Sequence, residues 1–325
     1  MSRIALIFVL GFCFASSTTA SAQSWPMRPV TMVVPFAAGG PMDTVGRIMA
    51  AALSDTLGQS VIVENVGGGG GMTGSARVAK AAPDGSQFVL GNVGTHAVAQ
   101  TLSKNPPYNV TQDFAPVGLF ADLSLVLVTR KDLPAGNLQE FIAYAKANQD
   151  KMQFGSASAG SATHLGCALL NAAAGVTVTH IPYRGGAPAM QDLVGGRIDY
   201  LCIDTPIAIP LIEGGQIKAL AILTRDRSSS LPNLPSAQEQ GLAGFEAANW
   251  AAFFMPKGTP GAIVAKLNAA TAKALDDPAV QKRMKDVGID PVGPDRRSPA
   301  YLAKFAESEI AKWGSAVKAA GVTAE

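Results

Sequence analysis

The chain reads as an α/β protein with a parallel sheet, laid out in two blocks. Three observations predict this. Short apolar, β-branched runs alternate with amphipathic stretches at helical spacing. Small loops rich in glycine or hydroxyls join each run to the stretch after it. The alternation changes character once, near 120–126, and then resumes. At 325 residues with 48% hydrophobic content, the chain is long enough for two domains, each with its own core.

The first block opens with a buried strand over Val30–Val34, stopped by Pro35. In the stretch from Pro41 to Gly58, Val45, Ile48, Met49, Ala52, Leu53 and Leu57 share one helical face, with Pro41 suited to the first turn and Gly58 to the stop. "QSVIVENV" is a second strand, "GGGGGMTGSARVAKAAPDG" a glycine loop entering a second helix, and "SQFVLGNV" a third strand. "DFAPVGLFADLSLVLVTR" then carries two strand-like runs, and "NLQEFIAYAKANQD" a helix.

The second block repeats strand, loop and helix in "MQFGSASAGSATHLGCALLNAAAG", "VTVTHIPYRGGAPAMQDLVGG" and "RIDYLCIDTPIAIPLIEGG", followed by a strand in "IKALAILT". A Pro-, Gly- and Ser-rich return segment leads to two amphipathic helical regions. The first is broken at Asp277, because Pro278 disfavours helix in the residue before it.

Charged residues make up 15% of the chain against an ordinary level of about 25%. The net charge is +2 with no basic block, which argues against nucleic acid. The N-terminus has Arg3, an apolar run from Ile4 to Ala15 and a small-residue cleavage site at Ala20-Ser21-Ala22. This predicts a secretory signal peptide over 1–22, and hence an exported protein, because the run falls short of the roughly 20 residues of a membrane span. Cys13 leaves with it, and Phe12 stands where a lipobox needs a small residue. The remaining Cys167 and Cys202 leave open both a disulfide and two buried thiols.

Three loops share one design: "PFAAGGPMD" (35–43), "GNVGTHAV" (91–98) and "GSASAGSATHL" (155–165). Each lies at a strand end where a helix begins, which is where open α/β sheets bind ligands. Helix starts offer unpaired N–H groups and a partial positive charge, so an anion can bind without lysine or arginine. Small oxyanions, carboxylates above all, fit such loops.

Other chemistries find less support. "GGGGGMTGS" lacks both P-loop and dinucleotide spacing and reads as a tight helix entry. Ser161 and His164 suggest a serine hydrolase as an alternative, but no Gly-x-Ser-x-Gly elbow is present. His96, His164, His180 and the two cysteines show no metal-ligand spacing, so neither metal nor cofactor is expected. Arg184 stands near a loop and is expected to tie a turn to Asp192 or Asp199 more than to meet a ligand.

"VPFAAGGPMD", "GQSVIVENVGGGGGMTGSARVAKAAPDG", "GSASAGSATHL", "HIPYRGGAPAMQDLVGGRIDY", "LPNLPSAQEQGLAGFEAANWAAFFMPKGTP" and "EIAKWGSAVKAAG" together resemble, in order, the Bug or TctC-type periplasmic receptors of tripartite tricarboxylate transporters. The resemblance spans essentially the whole mature chain. It implies a two-lobed type II periplasmic-binding-protein (Venus-flytrap) fold with crossing interdomain strands near 120–126 and 244–255. The lobes would be 23–123 plus 246–325, and 124–245.

It further implies a monomeric, non-enzymatic receptor that carries a di- or tricarboxylate or aromatic acid to a permease of large and small subunits. A ligand sensor feeding a membrane signalling partner is the other reading. The implied binding residues are Phe36, Ala37, Ala38, Gly39, Gly40 and Asp43 on one lobe, and Ser156, Ser158, Gly160, Ser161, Thr163 and Asp204 on the other. Thr95 reaches the cleft, and Met42 with Phe36 packs on a ligand body or on the core. Ser158 replaces the middle glycine of the family's Gly-Ser-x-Gly-x-Gly-Ser pattern.

Overall fold

The computed structural model of the chain describes residues 25–103 and 105–319, so the leader expected at 1–22 lies outside the described residues. The order begins β1 (Val30–Val34), α1 (Pro41–Leu57), β2 (Val61–Asn65), α2 (Met72–Ala79), β3 (Gln87–Gly91). A wide helical turn over Gly94–Val98 then leads into α3 (Ala99–Leu102) and α4 (Val110–Asp113). Pro41 sits in the first turn of α1, where its missing N–H is no loss, and Gly58 ends the helix at φ 68° with its N–H on the Ser54 carbonyl.

The chain continues as β4 (Phe114–Arg130), α5 (Leu138–Asn148), β5 (Gln153–Ser156), α6 (Ala162–Ala174), β6 (Thr179–Pro182), α7 (Gly186–Val194), β7 (Tyr200–Asp204), α8 (Thr205–Glu213) and β8 (Ile217–Ile222). It ends with β9 (Ala248–Pro256), α9 (Gly261–Asp276), α10 (Pro278–Asp286), β10 (Ile289–Pro291) and α11 (Pro299–Ala319).

The strands lie in the order β2-β1-β3-β9-β4-β7-β5-β6, with β8 and β10 also paired to β4. The expected parallel pairings join β1 to β2 and β3, and β5 to β6 and β7. Between the two parallel groups the sheet is antiparallel, through β4 and β9.

The sequence suggested two strands over 114–130; there is one, of 17 residues. Its first part pairs with β9, and from Leu125 onward it pairs with β7 and β8. Register shifts at Pro116/Gly118, Leu119/Ala121 and Leu127/Val128 absorb the irregular pattern that reads as an interruption. The short β10 was not anticipated, because three residues between turn formers carry no periodicity.

Each side of the sheet is covered by apolar side chains. Val45, Leu53, Phe120, Phe253 and Leu267 pack at one end, and Val128, Met190, Leu201 and Ile217 at the other. A cluster including Val89, Leu127, Phe154, Tyr200 and Trp313 runs between them, which ties the two ends into one framework. Cys167 of α6 and Cys202 of β7 are joined in a disulfide, with Cα atoms 5.2 Å apart. Among the described residues no helix is long and apolar enough to cross a membrane.

Candidate functional site

The strand-end loops converge. Phe36, Gly40, Pro41 and Met42 from the start of α1 face Ser161, Ala162 and Thr163 from the start of α6 across a small chamber. Gly186 at the start of α7, Asp204 at the start of α8, Asn92 and Ala157 complete its wall. Four helices therefore begin at the wall of this chamber, and first-turn amides have no intrahelical acceptor. The chamber holds about 20 Å³, room for roughly one water-sized group.

A larger cavity of about 540 Å³ adjoins it and shares Phe36 and Ala157 as walls. Ala37, Gly67, Gly68, Gly69, Gly71, Ser158, Tyr183 and Arg184 line the rest.

The first wall is shaped from behind by Asp43. Its Oδ2 accepts from the Gly39 amide and from Arg47 Nε, each at 2.9 Å, and its Oδ1 accepts from Asn65 at 2.9 Å. Burial alone would raise this carboxyl, yet Arg47, the Gly39 amide and Asn65 together hold it below its ordinary value. Asp43 therefore braces the loop and does not line either cavity, and Ala38 and Gly39 are exposed.

The second wall is braced by hydroxyls. Ser161 caps α6, donates to the Ser158 carbonyl at 2.7 Å and lies 2.9 Å from Thr163 Oγ1, which accepts from the Ala157 amide at 2.8 Å. Ser156 points inward, donating to the Ser158 carbonyl and sharing a 2.7 Å bond with His180. Gly160 donates to His164 Nδ1 at 3.1 Å and sits behind the wall, in contact with Gly94.

The candidates thus divide. Phe36, Ala37, Gly40, Met42, Ser158, Ser161, Thr163 and Asp204 border the cavities. Ala38, Gly39, Asp43, Thr95, Ser156 and Gly160 do not. Thr95 is fully buried, with its hydroxyl on Asn92 and His96 Nδ1 (2.8 Å), and it is Asn92 from the same loop that reaches the chamber.

Two features were not anticipated. The glycine loop, read as a plain helix entry, forms one wall of the larger cavity because only hydrogen atoms separate its backbone from its neighbours. A Cβ on Gly70 would stand 2.6 Å from the Ala159 carbonyl oxygen. Across that approach the Gly70 amide donates to Ser158 Oγ at 2.9 Å, so the serine that departs from the family pattern latches the two sides together.

Arg184 was expected to tie a turn, but Asp192 is taken by Arg197 and Tyr183, and Asp199 by Arg130. Among the described residues Arg184 has no carboxylate partner, and it lines the larger cavity. A basic residue on a strand-end loop was the available signal.

Among the described residues Asp204 is the one ionisable side chain on the inner chamber. Burial pushes its carboxyl up to about 7, against the lowering pull of Asn249, whose amide donates to Oδ1 at 2.8 Å. The hydrolase alternative fails on geometry. Ser161 Oγ is directed at Ser158, His164 Nδ1 accepts from Gly160, and the His164 ring stacks on His180 at 3.9 Å. Burial holds His164 down to about 4. Among the described residues no group of three or more His, Cys, Asp or Glu is placed to hold a metal.

A family model described as tripartite tricarboxylate transporter family receptor matches residues 45–322. Among solved structures, the periplasmic binding protein BugD is 40% identical with a TM-score of 0.89, covering 92% of this chain and 99% of that one. MatC of Rhodopseudomonas palustris, with bound malate, is 41% identical with a TM-score of 0.86, covering 90% of this chain and 100% of that one. An adipate-bound protein of R. palustris is 35% identical with a TM-score of 0.88, covering 92% and 99%.

Proposed function

Because the chain belongs to the tripartite tricarboxylate transporter receptor family, whose members are periplasmic solute-binding proteins and not enzymes, we propose that it captures a small carboxylate between two hinged lobes. The lobes are 23–123 plus 246–325, and 124–245. The leader at 1–22 directs export, and the monomeric receptor passes its ligand to a membrane permease of large and small subunits.

One observation carries the ligand class: four helix N-termini meet at a chamber that, among the described residues, no cationic side chain lines. Met42 and Ala162 supply first-turn amides from opposite sides, so a carboxylate oxygen seated between them is held by both lobes at once. Contacts made to both sides only when the lobes close shift the population towards the closed form. Asp204, able to keep a proton near neutrality, meets the anion as a donor instead of as a like charge. The malate and adipate held by two relatives support the same class.

Thermal melting with a panel of mono-, di- and tricarboxylates tests this. A ligand at about 100 times its Kd stabilises the folded state by about 2.7 kcal/mol, which moves the Tm by several degrees. No shift with any acid on the panel would overturn the proposal.

A further inference from the structure

Arg184 stands apart from the other charged groups near the cavities. Among the described residues it is the one charged side chain lining the larger cavity, and that cavity opens beside the chamber assigned to the ligand carboxylate. Its two candidate structural partners are engaged elsewhere: Arg197 lies 2.5 Å from Asp192, and Arg130 lies 3.0 Å from Asp199.

The backbone around Arg184 is held firmly. Tyr183 just before it donates to Asp192 at 2.8 Å. Gly185 just after it lies so close to the opposite loop that a Cβ there would stand 2.8 Å from Ala37 Cβ. The Arg184 carbonyl in turn stands near Gly67. The guanidinium is thus carried on a pinned segment at the meeting line of the two sides, while the side chain itself stays exposed.

Between this cation and the inner chamber, the shared walls are Phe36 and Ala157, both apolar. An anion-binding inner end, an apolar waist and a free guanidinium outside match a molecule with a carboxylate at each end and hydrocarbon between.

We propose that Arg184 reads the second carboxylate of an α,ω-dicarboxylate whose first carboxylate seats an oxygen in the inner chamber, and so sets the receptor's preference for diacids over monoacids. The inference rests on the carboxylate reading of the inner chamber. A guanidinium presents paired N–H donors to a carboxylate, and the charge-assisted bonds so formed are stronger than neutral ones. Because Arg184 is exposed, the preference is partly screened by salt.

Calorimetric titration of the mature chain with unbranched diacids from succinate to pimelate, each beside the monoacid of equal length, tests the assignment. The best diacid should bind at least about 10-fold more tightly than its matched monoacid. Arg184→Gln should remove most of that margin and leave monoacid affinity within about 2-fold, while Arg184→Lys keeps part of it. The margin should also shrink between 50 and 500 mM salt, a range over which exposed charges are increasingly screened.

Equal losses for diacid and monoacid in Arg184→Gln, or no loss for either with an unchanged Tm, would overturn the role of Arg184. Failure of the unsubstituted chain to bind any of these acids would overturn the carboxylate reading itself, and this inference with it.

Discussion

On one side of the inner chamber the wall is a glycine-rich turn held from behind by a single buried carboxylate. On the other it is a serine-rich turn whose hydroxyls hold each other. Asp43 gathers Gly39, Arg47 and Asn65 around one group, so the first wall depends on a charge and its partners. Ser156, Ser161 and Thr163 divide the same task among neutral bonds to Ser158, Ala157 and His180.

In both walls the polar side chains that stand out in the sequence hold the loop in shape. Beside Ser161, Thr163, Asn92 and Asp204, the chamber wall is made of glycine, proline and apolar residues such as Gly40, Pro41, Met42 and Ala162. A loop with many hydroxyls need not be a loop that presents many hydroxyls to its ligand.

The sharpest way to break this contrast is to remove the single brace. Asp43→Ala removes the acceptor shared by the Gly39 amide, Arg47 and Asn65, an expected loss of about 1–3 kcal/mol in chemical denaturation, since hydrogen bonds to a charged group are among the stronger ones. Ligand affinity should fall more than 10-fold with it. Amide exchange in α6, on the other wall, should change little. If Asp43→Ala matched the unsubstituted chain in stability and binding, the first wall would not depend on this group.

Acid should act next, and mainly on the second wall. His164 and His180 are held neutral by burial, down to about 4 and about 3, with the neighbouring His164 adding to the effect at His180. His96, stacked on Phe254, is likewise lowered to about 3 by burial. In the unfolded chain all three take up protons near 6.5, so their contribution to stability is lost as pH falls from about 6.5 towards 4.

Asp204 works the other way. Its folded carboxyl, raised to about 7 by burial, holds a proton that the unfolded chain gives up above about 3.8, so acidification through that window favours folding. Three histidines outweigh one carboxyl, and the Tm should fall steadily below pH 6.5. His180→Asn should flatten that slope even where it lowers the Tm at neutral pH. A Tm that rises or stays level between pH 6.5 and 4 would contradict the assignment.

The mildest test concerns the latch between the walls. Ser158→Gly removes one neutral hydrogen bond to the Gly70 amide, a net contribution of about 0.5–1.5 kcal/mol, so ligand affinity should fall by about 2- to 10-fold with little change in Tm. Unchanged affinity would mean that the bond forms equally in the open receptor.

Much of this architecture was legible in the residues. Val30–Val34 followed by Pro41 and Gly58, and Gly155–Ser156 followed by Ser161 and Gly175, carry strand, cap and stop signals that need no tertiary context. What escaped depends on neighbours remote in sequence. Nothing within 114–130 says that one strand will pair with β9 along one stretch and with β7 along another. The glycine loop shows its role only when Ala159 and Ser158 are set against it, 88 positions away in the case of Gly70 and Ser158.

Thr95 and Asn92 both sit at the end of β3, and only the geometry decides which of them turns inward. Arg184 was assigned to Asp192 or Asp199 on proximity, and competition from Arg197 and Arg130 decided otherwise.

The unbroken β4 has a consequence for the engineering of such a molecule. A residue near Ser124 hands the strand from one set of neighbours to the other without leaving the hydrogen-bonded ladder, and β9 returns alongside it. Excising either half therefore requires severing the polypeptide within a paired strand, which would expose raw ladder edges at the cut. Exchanging recognition halves between related receptors should succeed only when both strands are transplanted as one piece.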